Sequence, residues 1–124
     1  MVAVLPTYLL TIAYDGSRYH GWQQQVGVRT IQAELEKACA KIGCAGVHVE
    51  GAGRTDTGVH AFAQGAHVIL PRGFPGDRLQ IALNSNLPED TQISYYFPQN
   101  EPSAVQEFII KVFIVKTVRK RMSL

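Results

Sequence analysis

At 124 residues, 46% of them hydrophobic and 18% charged, the chain has the size of one domain with a single core and is too apolar to be disordered. No apolar run reaches the length of a membrane span and Met1–Pro6 lacks the basic start of a signal peptide, so a cytoplasmic protein without a membrane partner is expected. The net charge of +2 does not by itself mark a nucleic-acid binder: Lys111, Lys116, Arg119, Lys120 and Arg121 crowd the end, and up to Phe108 seven bases face ten acids, a net of 7 − 10 = −3.

In chain order, Tyr8–Tyr14 is short and β-prone and predicts a buried strand ended by Asp15-Gly16. The loop after it mixes Arg18, Tyr19, His20, Trp22 and Gln23–Gln25, side chains that can stack on bases or bond to them, although Trp22 is expected to pack on the core. Thr30 has the character of a helix N-cap. Ile31, Leu35, Ala38, Cys39 and Ile42 recur at helical spacing, with Gln32, Glu34, Glu36, Lys37 and Lys41 mostly opposite and Gly43 as a stop. Strands are predicted near Val47–Glu50 and Gln64–Leu70. Asp77 is placed to cap a second helix, whose Leu79, Ala82 and Leu83 share a face and which Pro88 closes. In Thr91–Phe97, Ile93, Tyr95 and Phe97 alternate with Ser94 and Tyr96, as in a half-exposed strand. The order β-α-β-β-α-β predicts an α+β, ferredoxin-like fold, a four-stranded antiparallel sheet with two helices on one face.

Between the second and third strands lies Gly51-Ala52-Gly53-Arg54-Thr55-Asp56-Thr57-Gly58-Val59-His60-Ala61. Glycines at this density let the backbone approach a ligand. Asp56 is the lone carboxylate between Glu50 and Asp77, with the cation Arg54 two residues before it. By type alone it can be a nucleophile, a base or a cap on its own loop backbone. The spacing of Cys39 and Cys44 fits neither a zinc motif nor a redox pair, and His20, His48, His60 and His67 lack metal-ligand spacing, so reduced thiols and no metal are expected.

Gly53–Ala61 resembles the signature of TruA-type tRNA pseudouridine synthases. Tyr14-Asp15-Gly16-Ser17-Arg18-Tyr19-His20-Gly21-Trp22-Gln23-Gln24-Gln25 is similar to the family's first loop, and Leu83-Asn84-Ser85-Asn86-Leu87-Pro88-Glu89-Asp90 to the end of its second helix. The resemblance implies isomerisation of uridine to pseudouridine on the 3′ side of the tRNA anticodon stem-loop, with tRNA as partner, no cofactor and no metal. It implies that Asp56 carries the chemistry and that Arg54, Arg18, Gln23, Gln25 and His60 meet RNA. Intact members of the family pair as homodimers.

The motifs run from about Leu9 to about Tyr96. Ser103-Ala104 is similar to the family's Ser-Ala pair, but no arginine stands between it and Phe108, which takes the place where an active-site tyrosine is expected. From Phe113 nothing matches by motif. Residues 1–112 are thus expected to form the N-terminal, aspartate-bearing domain of such a synthase and 113–124 a divergent, frameshifted or drifted tail. On this expectation the chain is a truncated copy, inactive on its own. The alternative is a stand-alone RNA-binding module without catalysis, since a ferredoxin-like sheet presents aromatics to bases.

Overall fold

The computed structural model describes residues 5–98. The expected tail, Ser103-Ala104 and Phe108 lie outside the described residues. In order come β1 (Thr7–Tyr14), a 3₁₀ turn (Gly16–Arg18), α1 (Ile31–Lys41), β2 (Val49–Gly51), β3 (Ala61–Ile69), α2 (Arg78–Asn86) and β4 (Thr91–Pro98). The sheet order is β2-β3-β1-β4 with every pairing antiparallel, the α+β ferredoxin-like arrangement that the element order predicts. Tyr8, Leu10, Ile12 and Tyr14 of β1 join Ala66, Val68 and Ile93 in one core with Ile31, Leu35, Ala38 and Cys39 of α1 and Leu79 and Leu83 of α2. Both helices therefore cover the same face of the sheet, with Ile42 packed at the core's edge.

The helix starts differ. Thr30 Oγ1 accepts the Ala33 N–H at 3.3 Å and caps α1, whereas Asp77 stands at the N-cap of α2 without a side-chain cap bond. Gln32, expected among the outward residues of α1, is buried. Its Oε1 accepts the Gln24 N–H at 2.8 Å and its Nε2 donates to the Val49 carbonyl at 2.9 Å, so its amide ties the first loop to β2. A polar side chain on an apolar flank is tolerated when both ends are bonded. Cys39 and Cys44 are buried free thiols, and burial pushes Cys39 up to about 12.

Two strands depart from strict alternation. The β1–β4 register slips between Thr11 (opposite Tyr95) and Ile12 (opposite Ile93), an extra residue in β4. Beyond this bulge Tyr96, expected opposite Ile93, packs against the core with its ring edge-on to Tyr8 at 5.9 Å. β3 begins at Ala61 rather than Gln64, and its register with β1 slips between Ile12 and Tyr14. Ala61, Ala63 and Gly65 have little strand preference of their own; pairing with β1 extends the strand.

Candidate active site

β1 runs antiparallel to both neighbours, so its last residue, Tyr14, lies beside the first residues of β3 (Ala61) and β4 (Thr91). The β1–α1 loop, the glycine-rich β2–β3 loop and the α2–β4 turn therefore gather at one end of the sheet. The Asp15 N–H donates to the Asp90 carbonyl at 2.9 Å and joins the first of these to the third.

The first loop and the glycine-rich loop are stitched together. The Trp22 N–H donates to the Thr55 carbonyl at 3.0 Å and the Gly58 N–H to the Tyr19 carbonyl at 3.2 Å. The Gly16 N–H donates to His60 Nδ1 at 3.0 Å, and the hydroxyls of Tyr14 and Thr55 meet at 2.6 Å. From β3, Gln64 Nε2 donates to the Gly53 carbonyl at 3.0 Å, and the Gly65 carbonyl accepts the Ala52 N–H at 2.8 Å. The backbones come so close that a Cβ on Gly16 would lie 1.9 Å from the Val59 carbonyl oxygen. Asp56 opens a turn in which its carbonyl accepts the Val59 N–H at 3.2 Å, with Gly58 at φ +79° in the position that favours glycine.

On this scaffold the Asp56 side chain is exposed and, among the described residues, has no hydrogen-bond or ion-pair partner. It caps no backbone group; only its carbonyl takes part in the turn. Arg54 is likewise exposed and unpaired among the described residues, and the two do not bridge each other. A cleft of about 330 Å³ opens beside Arg54, walled by Trp22, Gln23, Gln24, Gln32 and Glu50. A larger one, about 790 Å³, lies at the Val59–Phe62 end of the loop, with Asp15, Glu89 and Asp90 on its rim. Asp56 lines neither; it sits on the chain between Arg54 and Val59.

The sequence-predicted RNA residues fall into two groups. Gln23 is exposed and its side chain has no partner among the described residues; Arg18, also exposed, makes no side-chain hydrogen bond or ion pair there although its charge acts on the Asp15 carboxylate; Gln25, exposed as well, makes a long 3.4 Å bond to the His20 carbonyl. His60 faces inward through Nδ1, which accepts from Gly16 and lies 3.2 Å from Asp15 Oδ1. Nδ1 can accept from the Gly16 N–H only while it carries no proton, and can donate to Asp15 only when it carries one, so the two contacts are alternatives. Two hydrogen bonds from Ser17 hold the Asp15 carboxyl below the usual range.

Arg29, at the end of the first loop, is committed inside the protein. Its fork meets both oxygens of Asp90 at 2.9 and 3.0 Å, and its guanidinium lies 4.0 Å from the Tyr19 ring centre. The Tyr19 hydroxyl donates to Asp90 Oδ1 at 2.9 Å and shares a hydrogen bond with Thr91 Oγ1. Burial pushes Tyr19 up to about 12. Arg72 stacks 4.2 Å above Phe74, away from the loops. Sequence reading missed Tyr14, Thr55 and Asp90 as parts of the scaffold; contacts across 41 and 61 residues leave no local signal. Among the described residues no group of His, Cys, Asp and Glu could hold a metal ion, and no helix is long and apolar enough to cross a membrane.

The chain is similar to proteins named tRNA pseudouridine synthase A. That of Ruminiclostridium cellulolyticum is 42% identical over 99 residues, 80% of this chain and 38% of the relative. That of Rippkaea orientalis is 51% identical over 84 residues, 68% and 29% of the two chains, and that of Aquifex aeolicus 43% identical over 89 residues, 72% and 37%. The chain thus spans about a third of the length of these curated relatives. The model of the family described as tRNA pseudouridine synthase matches residues 10–120, which carries the likeness past Tyr96, where the motifs end. On that match the chain belongs to the tRNA pseudouridine synthase family.

Proposed function

We propose that this chain supplies the aspartate side of a site that isomerises uridine to pseudouridine in tRNA, with Asp56 as the catalytic residue. The observation that carries this is an exposed carboxylate without a partner among the described residues, borne by a loop held on both sides. A free carboxylate on a fixed backbone is ready to act without first breaking bonds of its own. In the reaction the C1′–N1 bond breaks, the uracil turns, C1′ joins C5, N1 gains a proton and C5 releases one. Asp56 either attacks C1′ and is later displaced, or removes a proton at C2′ to allow the detachment. No cofactor or metal enters this balance.

Arg54 lies close enough in the chain to hold the phosphate of the target nucleotide or fill the gap left when the base turns out. Arg18, Gln23 and Gln25 extend the contact along the strand, and His60 braces the loop while offering its outer edge. The uridines acted on lie on the 3′ side of the anticodon stem-loop, and the complete enzyme works as a homodimer in the cytoplasm.

The test joins this chain after Phe97 to the remaining part of the Aquifex relative and follows tritium released from C5 of uridine-labelled tRNA. The joined protein should release label and its Asp56→Asn variant should not. Comparable release by Asp56→Asn would remove Asp56 from the chemistry.

A further inference from the structure

Resting on the assignment of Asp56 to the chemistry, we propose that Tyr14 and Thr55 are its positioning residues: their paired hydroxyls fix the backbone that aims the Asp56 carboxylate. Tyr14 ends β1, is 4% exposed, and stands edge-on to the Tyr19 ring at 6.4 Å, so its ring is held by the core. Its hydroxyl reaches Thr55 Oγ1 at 2.6 Å. The carbonyl of Thr55 accepts the Trp22 N–H at 3.0 Å, and Trp22 is itself 2% exposed. Residue 55 is therefore gripped at its side chain by the sheet and at its carbonyl by the first loop. A β-branched threonine has few χ1 choices, so a bond at Oγ1 constrains the backbone as well as the hydroxyl.

Asp56 follows directly, and on its other side the Asp56–Val59 turn and the Gly58–Tyr19 bond close the frame. The carboxylate takes no bond of its own among the described residues, so its aim comes from the backbone beneath it. Sites of this kind need geometry held to within about 0.5 Å, and a displacement of about 1 Å can cost about 10²-fold in rate. A pair that merely satisfied two polar atoms would add stability without controlling where Asp56 points.

The two roles separate in the ¹⁵N-labelled 124-residue chain, compared with Tyr14→Phe, Thr55→Val and Thr55→Ser. Amide relaxation should give Asp56 an order parameter near the rigid value of about 0.85 in the wild type and in Thr55→Ser, which keeps the hydroxyl. In Tyr14→Phe and Thr55→Val it should fall below about 0.6 at residues 55–57 while β1 and β3 stay rigid. Unchanged order at Asp56 in both variants overturns the proposal, as does loss of order spread evenly over the fold. In the joined protein the same two variants should lower kcat about 10²-fold with KM for tRNA unchanged; a change confined to KM also overturns it. Turnover unaffected by Asp56→Asn would defeat the functional assignment instead, while the relaxation result still decides whether the pair fixes residue 56.

Discussion

Arg29 and Asp90, 61 residues apart, are joined by two parallel hydrogen bonds of 2.9 and 3.0 Å, and so lock the β1–α1 loop to the turn that begins β4. A lysine at position 29 would keep the charge and lose the fork. Arg29→Lys should destabilise the chain at the lower end of the roughly 1.5–3 kcal/mol of a charged hydrogen bond, because both side chains still touch water. Urea unfolding at neutral pH measures it, and a midpoint equal to wild type would show the pair to be ornamental.

The same pair sets a pH dependence. The Arg29 hydrogen bonds hold the Asp90 carboxyl below its ordinary value. A depressed carboxyl pKa in the folded state means that the unfolded chain takes up the proton first as pH falls. Stability from the pair is therefore complete above the ordinary aspartate pKa of about 3.9 and drains away below it. Arg29 stays protonated throughout and adds no slope. Asp90→Asn should flatten the acid limb of the stability curve below about pH 4; an unchanged limb would assign the acid sensitivity elsewhere.

At Gly16 the first loop lies directly against the glycine-rich loop. A methyl group there would meet backbone at Val59, which cannot swing aside as a side chain can. Gly16→Ala should cost about 1–3 kcal/mol, as overpacking does, and should break the Gly16–His60 bond. Wild-type stability together with a retained His60 signal would show that the loops can part at no cost.

How much of this could be read from sequence depended on the range of each interaction. The core faces of α1 and of Ala66–Leu70 repeat at the helical and strand periods, and Thr30 announces its cap locally. Tyr96 falls on the core side because a bulge adds one residue before it without any residue type to mark it. Gln32 looked like surface because an amide's two bonding ends show their value only once Gln24 and Val49 are beside it. Asp56 stood out by its motif. Its bracing by Tyr14 did not, since that contact exists only after β1 and the β2–β3 loop have met.

His60 offers a direct spectroscopic check on how the loops are joined. If the Gly16 N–H is its partner, long-range ¹H–¹⁵N spectra at neutral pH should show Nδ1 unprotonated and the proton on Nε2. A proton found on Nδ1 would make Asp15 Oδ1, 3.2 Å away, the real partner and leave the Gly16 N–H to another acceptor.

The arginines should divide in tRNA binding as they divide in the fold. Arg54→Ala and Arg18→Ala each remove an exposed cation whose side chain makes no hydrogen bond or ion pair among the described residues, and should lower the salt slope of log K by about 1 apiece. Arg29→Lys should leave the slope alone, since Asp90 already takes that charge. Equal slopes for Arg54→Ala and wild type would take Arg54 off the RNA.

The sharpest contrast concerns Asp56 itself, because a free carboxylate and a capping carboxylate differ in what their loss does to stability. The Asp56 side chain has no partner among the described residues, so Asp56→Asn removes a charge and breaks no bond. Its unfolding free energy should stay within about 0.5 kcal/mol of wild type, as for surface substitutions away from special features. Thr30→Ala is the control: Thr30 is buried, caps α1 by accepting the Ala33 N–H, and its loss should cost about 0.5–2 kcal/mol. Urea unfolding of the two variants side by side gives the answer without reference to turnover. A cost for Asp56→Asn matching that of Thr30→Ala would make Asp56 a structural cap, and its place in the chemistry would then need an explanation other than a carboxylate kept free.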